Sequence, residues 1–145
     1  MIKLIFIIFF SILIPNQKHE IIKVLEEYNQ MFIKADYSKI INHFNYPVSF
    51  NLSKKTITAS NKLKLKLIYK KLRGSLPDDY AYSTWDKINI QLIDNNIAIV
   101  NADFSRYDKN DISFYSSSII YHLRLIENNW KIFSLTPYSS TETLN

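Results

Sequence analysis

Between residues 18 and 35 the apolar positions are Ile21, Ile22, Val24, Leu25, Tyr28, Met31, Phe32 and Ala35. Spacings of three and four place them on one broad helical stripe. Glu20, Glu26, Glu27 and Lys34 take the other side, acids early and lysine late, as the helix dipole prefers. Asp36 ends this helix or caps a second one over 37–44, whose Ile40, Ile41 and Phe44 make a short apolar face. Tyr46-Pro47 is expected to stop that helix, because the residue before proline is pushed out of the α region. Val48, Phe50 and Leu52 then alternate with Ser49, Asn51 and Ser53, a strand pattern, and a second short strand fits 55–58.

The stretch 61–72 reads two ways. Leu63, Leu65 and Leu67 alternate with lysines like a strand, whereas Leu65, Ile68 and Leu72 fit a helix. Ser60 as N-cap and Gly74 just past the end favour the helix. Beyond the turn-like residues 76–79 everything reads as β. Strands are expected at 82–93, 97–107, 113–126 and 130–136, separated by turns at 94–96, 108–111 and 127–129. Asn residues in the first turn are expected to take positive φ. On the second of these strands Ala98, Val100, Ala102, Phe104 and Arg106 share a face. Two helices, two short strands, a helix and a long antiparallel meander make an α+β domain over 18–138, with a polar tail at 139–145.

Composition mostly removes possibilities. A chain of 145 residues, 47% apolar and 21% charged, is a single globular domain. One glycine excludes a phosphate loop, a dinucleotide fingerprint and a nucleophile elbow, and zero cysteines exclude thiolate chemistry and disulfides. The net charge of +5 is local: Lys54, Lys55, Lys62, Lys64, Lys66, Lys70, Lys71 and Arg73 fall within 53–73 with no acid among them. That stretch is a solvated helix face or a meeting point for an anionic partner. With Tyr69 as its one aromatic, nucleic acid is not the expected partner. At the start, Lys3 precedes an apolar run over 4–14, too short to cross about 30 Å of hydrocarbon as a helix. The layout suits a signal peptide, although no small-x-small cleavage triplet follows. The expectation is an exported domain, or one held at a membrane through 1–15. An upstream mis-start before a cytoplasmic domain and a buried first element are the alternatives.

The ordered segments carry a resemblance. They are Tyr28 through Asp36 closing the first helix, Ile40 to Phe44 running into Pro47-Val48-Ser49-Phe50, and Tyr82-Ser83-Thr84-Trp85. Asn96 through Val100, Phe104-Ser105-Arg106-Tyr107 and Trp130-Lys131-Ile132 complete the set. Over roughly 19–138 the chain resembles the nuclear transport factor 2-like superfamily, with its SnoaL-like and ketosteroid-isomerase-like members. The resemblance implies a cystatin-like cone: a curved antiparallel sheet wrapped around a long N-terminal helix, with a pocket at the open end. The fold leaves function open, since isomerases, dehydratases and non-catalytic binding or dimerisation modules share it. Steroid isomerases of this kind use a helix tyrosine, a carboxylate base and a late-strand acid. Aligned on Asp36 and Phe44, these fall on Tyr28, Leu52 and near Tyr121. Leu52 cannot take a proton, so that chemistry is not expected.

The candidate pocket residues are therefore Tyr28, Phe32, Phe50, Trp85, Phe104, Arg106 and Tyr121, with Tyr28 and Tyr121 the weak catalytic candidates. Arg106, closing an apolar row, either binds an acidic ligand group or reaches out from the rim. Asp103 lies at odd spacing from Arg106 and faces away, as His122 does from Tyr121. His19, His43 and His122 have no metal-ligand spacing, so neither a metal nor a cofactor is expected. The expected function is a non-catalytic module that binds a small apolar ligand or forms a homodimer through its sheet. The alternative is a SnoaL-like isomerase or dehydratase acting on a small apolar, polyketide-like or steroid-like substrate.

Overall fold

The computed structural model describes residues 16–139; the apolar run at 1–15 and most of the polar tail lie outside them. Helix α1 (Gln17–Ile33) begins where the Asn16 side chain accepts a hydrogen bond from the His19 amide at 3.3 Å. It buries Ile21, Leu25, Tyr28 and Phe32 of the expected stripe and also Asn29, while Ile22, Val24 and Met31 are half-buried. The helix stops two residues short of expectation because Ala35 turns left-handed, with φ 54°. Asp36 then caps α2 (Tyr37–Ile40) by accepting from the Lys39 amide. A single 3-10 turn, Ile41–His43, leads into β1 (Phe44–Leu52). The second helix is therefore shorter than expected, and Tyr46-Pro47 lies inside a strand, where Pro47 is exposed, and does not end the helix. Phe44 is already extended, its side chain buried against Tyr28 and Tyr69.

A tight turn joins β1 to β2 (Lys55–Ala59), and α3 (Lys62–Gly74) follows. Its N-cap is Asn61, accepting from the Lys64 amide at 2.9 Å, in place of the expected Ser60. Gly74 is the last helical residue and not a left-handed cap. The Leu–Lys alternation misleads because only Leu65 and Tyr69, one turn apart, are buried, while Leu63 and Leu67 stand in solvent. The lysines of this basic stretch are exposed except the half-buried Lys66; Lys62 and Lys66 reach Asn42 and Ser38.

The remainder is a meander of β3 (Tyr80–Leu92), β4 (Ile97–Asp108), β5 (Ser113–Ile126) and β6 (Asn129–Tyr138). The six strands run in the order β2-β1-β6-β5-β4-β3. Every joint is antiparallel except β1–β6, which is parallel, so the sheet is mixed and not wholly antiparallel. That joint follows from topology: β1 and β6 are far apart in sequence, and no hairpin dictates their sense. Register shifts at Trp85/Lys87, Arg106/Tyr107 and His122/Leu123 insert extra residues that bend the long strands. In the β3–β4 turn the Asp94 carboxylate accepts from the amides of Asn96 and Ile97, so no residue there needs positive φ. Glu127 and Asn128 take it instead, before β6.

Helix α1 lies on the inner face of this curved sheet, where Ala98, Val100, Ala102, Tyr121, Leu123 and Ile132 are buried against it. Each large aliphatic side chain among them contributes about 1.5–3 kcal/mol relative to exposure. The outer face carries short polar contacts, among them Ser105 to Asp86 at 2.6 Å and Ser118 to Asp103 at 2.7 Å.

Candidate functional site

One end of the sheet is open. Between α1, α3 and the inner faces of β3–β6 lies a cavity of about 290 Å³. Tyr28, Phe32, Phe50, Trp85, Phe104, Arg106 and Tyr121 all line it, brought together from five elements. Leu52, at the position the isomerase comparison gives to a base, lies at the same opening and is 40% exposed.

The inner end is built from tyrosines. Tyr69 donates its hydroxyl hydrogen to the Tyr28 oxygen at 3.1 Å, tying α3 to α1. The Tyr28 ring meets Tyr69 and Tyr121 edge-on at 5.9 and 6.1 Å. The Tyr121 hydroxyl is buried beside that of Tyr28, too poorly placed for a well-formed hydrogen bond. Burial pushes Tyr69 and Tyr121 well above the ordinary tyrosine range. Burial raises Tyr28 too, offset in part by the Tyr69 and Tyr121 hydroxyls and the Arg106 charge. All three are neutral hydroxyls at physiological pH, able to donate a hydrogen bond and unable to act as a base.

The walls are apolar. Trp85 stands edge-on to Tyr121 at 6.0 Å and to Phe104 at 6.3 Å, its indole N–H anchored on the Leu25 carbonyl. Phe50 packs on Tyr69, and Ile119 and Leu135 complete the lining. The Arg106 guanidinium lies 5.1 Å from the Phe104 ring, 5.2 Å from Tyr115 and 5.8 Å from Phe32. Its Nε is buried and makes no hydrogen bond. Among the described residues no Asp, Glu or His lines the cavity. Trp130 and His122 lie elsewhere: Trp130 is buried near His43, and His122 packs on Phe133 of β6. Among the described residues no three His, Asp or Glu side chains group as metal ligands, and no helix is long and apolar enough to cross a membrane.

Several lining residues are not among the sequence candidates, including Tyr115, Ile119, Leu135, Asn29 and Tyr69. Asn29 is buried beside Tyr28 and donates from Nδ2 to the Ser83 carbonyl at 2.9 Å, fixing α1 to β3. Tyr69 reads as an aromatic within a basic stretch, and its burial four residues after Leu65 is the one signal that it turns inward. Arg73, from the same basic stretch, also turns inward. It donates to the carbonyls of Phe32 and Ile33 and stacks on Tyr80 at 4.3 Å.

The family described as NTF2-like protein (DUF6841) matches residues 19–140. Among solved structures, the chain is similar to a protein of unknown function with a cystatin-like fold from Nostoc punctiforme. The two share 14% identity at a TM-score of 0.71, over 83% of this chain and 88% of that one. It is also similar to Aln2 from a Streptomyces species, at 11% identity and a TM-score of 0.72, over 86% and 91% of the two chains. An NTF-2 like protein of unknown function from Shewanella oneidensis follows at 15% identity and a TM-score of 0.66, over 83% and 98%. No curated protein matches the sequence. At such identities the likeness is one of fold.

Proposed function

The chain belongs to the NTF2-like protein (DUF6841) family, and from that premise we propose that its cone is a non-catalytic pocket for a small, mostly apolar molecule. The observation that carries the reading is the lining itself: aromatic and aliphatic walls, neutral tyrosine hydroxyls at the inner end, and no carboxylate or imidazole. Ligand pockets have this make-up, apolar walls with a few polar groups that fix orientation. Proton abstraction needs a base within reach of the substrate, and Leu52, where the resemblance to steroid isomerases would put one, lines the cavity as an aliphatic side chain.

A panel of one- and two-ring apolar compounds tests the proposal by quenching of Trp85 fluorescence in the full chain. Ile119→Trp, which fills the cavity from β5, is expected to weaken binding at least tenfold while the thermal transition stays within a few degrees. Binding indifferent to that substitution would show the ligand to sit elsewhere. Each bound compound should be recovered unchanged; conversion to a product would replace the binding module by an enzyme.

A further inference from the structure

Resting on the reading of the cone as a ligand pocket, we infer that its occupant is a small aromatic carboxylate, one or two rings in size, held by Arg106. Among the described residues Arg106 is the one charged side chain lining the cavity, and its Nε–H is buried with no acceptor. The Phe32, Phe104 and Tyr115 rings attract the guanidinium but take none of its in-plane hydrogen bonds.

The acids nearest in the sequence are engaged elsewhere. Asp103 accepts from Ser118, Asp86 from Thr84 and Ser105, and Asp108 from the amides of Asn110 and Ile112. The two salt bridges among the described residues, Lys23–Glu27 and Lys39–Asp36, lie on the helices. Arg73 provides the contrast, because its Nε–H and one terminal N–H donate to the carbonyls that end α1, whereas the Arg106 Nε–H has no acceptor.

Arg106 is half-buried with its Nε–H unpaired, and a carboxylate that accepts two parallel N–H bonds from the guanidinium offsets the cost of holding that charge at an apolar wall. A single cation matches a single negative charge, which favours a carboxylate over a dianionic phosphate. The edge-on aromatic walls suit a flat body. A volume of about 290 Å³ is some ten times the liquid share of one water, enough for one or two rings.

Calorimetric titration of the full chain with matched acids and amides tests this: benzoate and benzamide, cinnamate and cinnamamide, indoleacetate and indoleacetamide. At least one acid is expected to bind about 10- to 100-fold more tightly than its amide, the worth of a charge-assisted hydrogen bond. Arg106→Gln should reduce that ratio to about twofold or less and leave amide affinity unchanged. If Arg106→Gln loses its thermal transition, Arg106→Lys, which keeps the charge and removes the fork, must still lower the ratio about fivefold. An amide binding as well as its acid, or an acid preference surviving the substitution, overturns the carboxylate assignment and leaves the pocket standing. If neither acid nor amide of any pair binds, both readings fall.

Discussion

Tyr69 of α3 donates to Tyr28 of α1 across 3.1 Å, with both rings buried, and this contact joins the basic helix to the centre of the cone. The two hydroxyls are unequal. Tyr69 needs Tyr28 as its acceptor, whereas the Tyr28 O–H lies beside the cavity. Tyr28→Phe is therefore expected to cost about 1–3 kcal/mol, the penalty for leaving a buried donor unsatisfied, and Tyr69→Phe about 1 kcal/mol. Urea denaturation of the double variant should show a loss smaller than the sum of the singles, because the second change removes a group the first had orphaned. Strict additivity would mean that the contact contributes nothing.

Arg73 acts on a helix other than its own. The last turn of α1 has no basic residue, and Arg73 brings charge and donors to the Phe32 and Ile33 carbonyls while stacking on Tyr80. Arg73→Met should cost roughly 1–2 kcal/mol by chemical denaturation, combining the lost helix-terminus charge with the lost stacking. Arg73→Lys should recover only part of this, since an ammonium cannot span both carbonyls as the fork does.

Ala35 bears the steric cost of a left-handed residue just past the end of α1. Ala35→Gly removes the Cβ that causes it, while making the unfolded chain more flexible. The expected net is a gain of about 0.5 kcal/mol, visible as a raised melting temperature. A fall in melting temperature would place this residue outside the left-handed region in solution.

His43 supplies a pH signature. Burial holds its imidazole below the ordinary value of 6.5, the nearby Lys131 charge lowers it further, and Glu27 opposes both. The unfolded chain therefore takes up a proton first as pH falls, so stability is fullest above 6.5 and is lost as pH drops through the folded-state value. Denaturation midpoints followed from neutral to mildly acidic pH should fall more steeply for the native chain than for His43→Gln. Parallel curves would rule the histidine out as the source.

The α+β order, the strands of the meander and the buried stripe of α1 were legible because burial repeats at 3.6 on a helix and at 2 on a strand. The same rule placed Phe104 and Arg106 on one face and Asp103 on the other, as the Ser118 contact to Asp103 bears out. Local pattern failed where a residue's partner is distant in the chain. Pro47 proved compatible with a strand, and the parallel joint of β1 with β6 depends on two segments whose meeting no local signal encodes.

The sequence by itself determined which residues are apolar and which helix face is inward. Tertiary structure alone decided that Tyr69 turns in to meet Tyr28, and that Arg73 donates to two backbone carbonyls while the Arg106 Nε–H meets none. Periodicity assigns a side chain to a face, but whether its donors are satisfied depends on atoms 40 or more residues away, and only the folded packing brings those within reach.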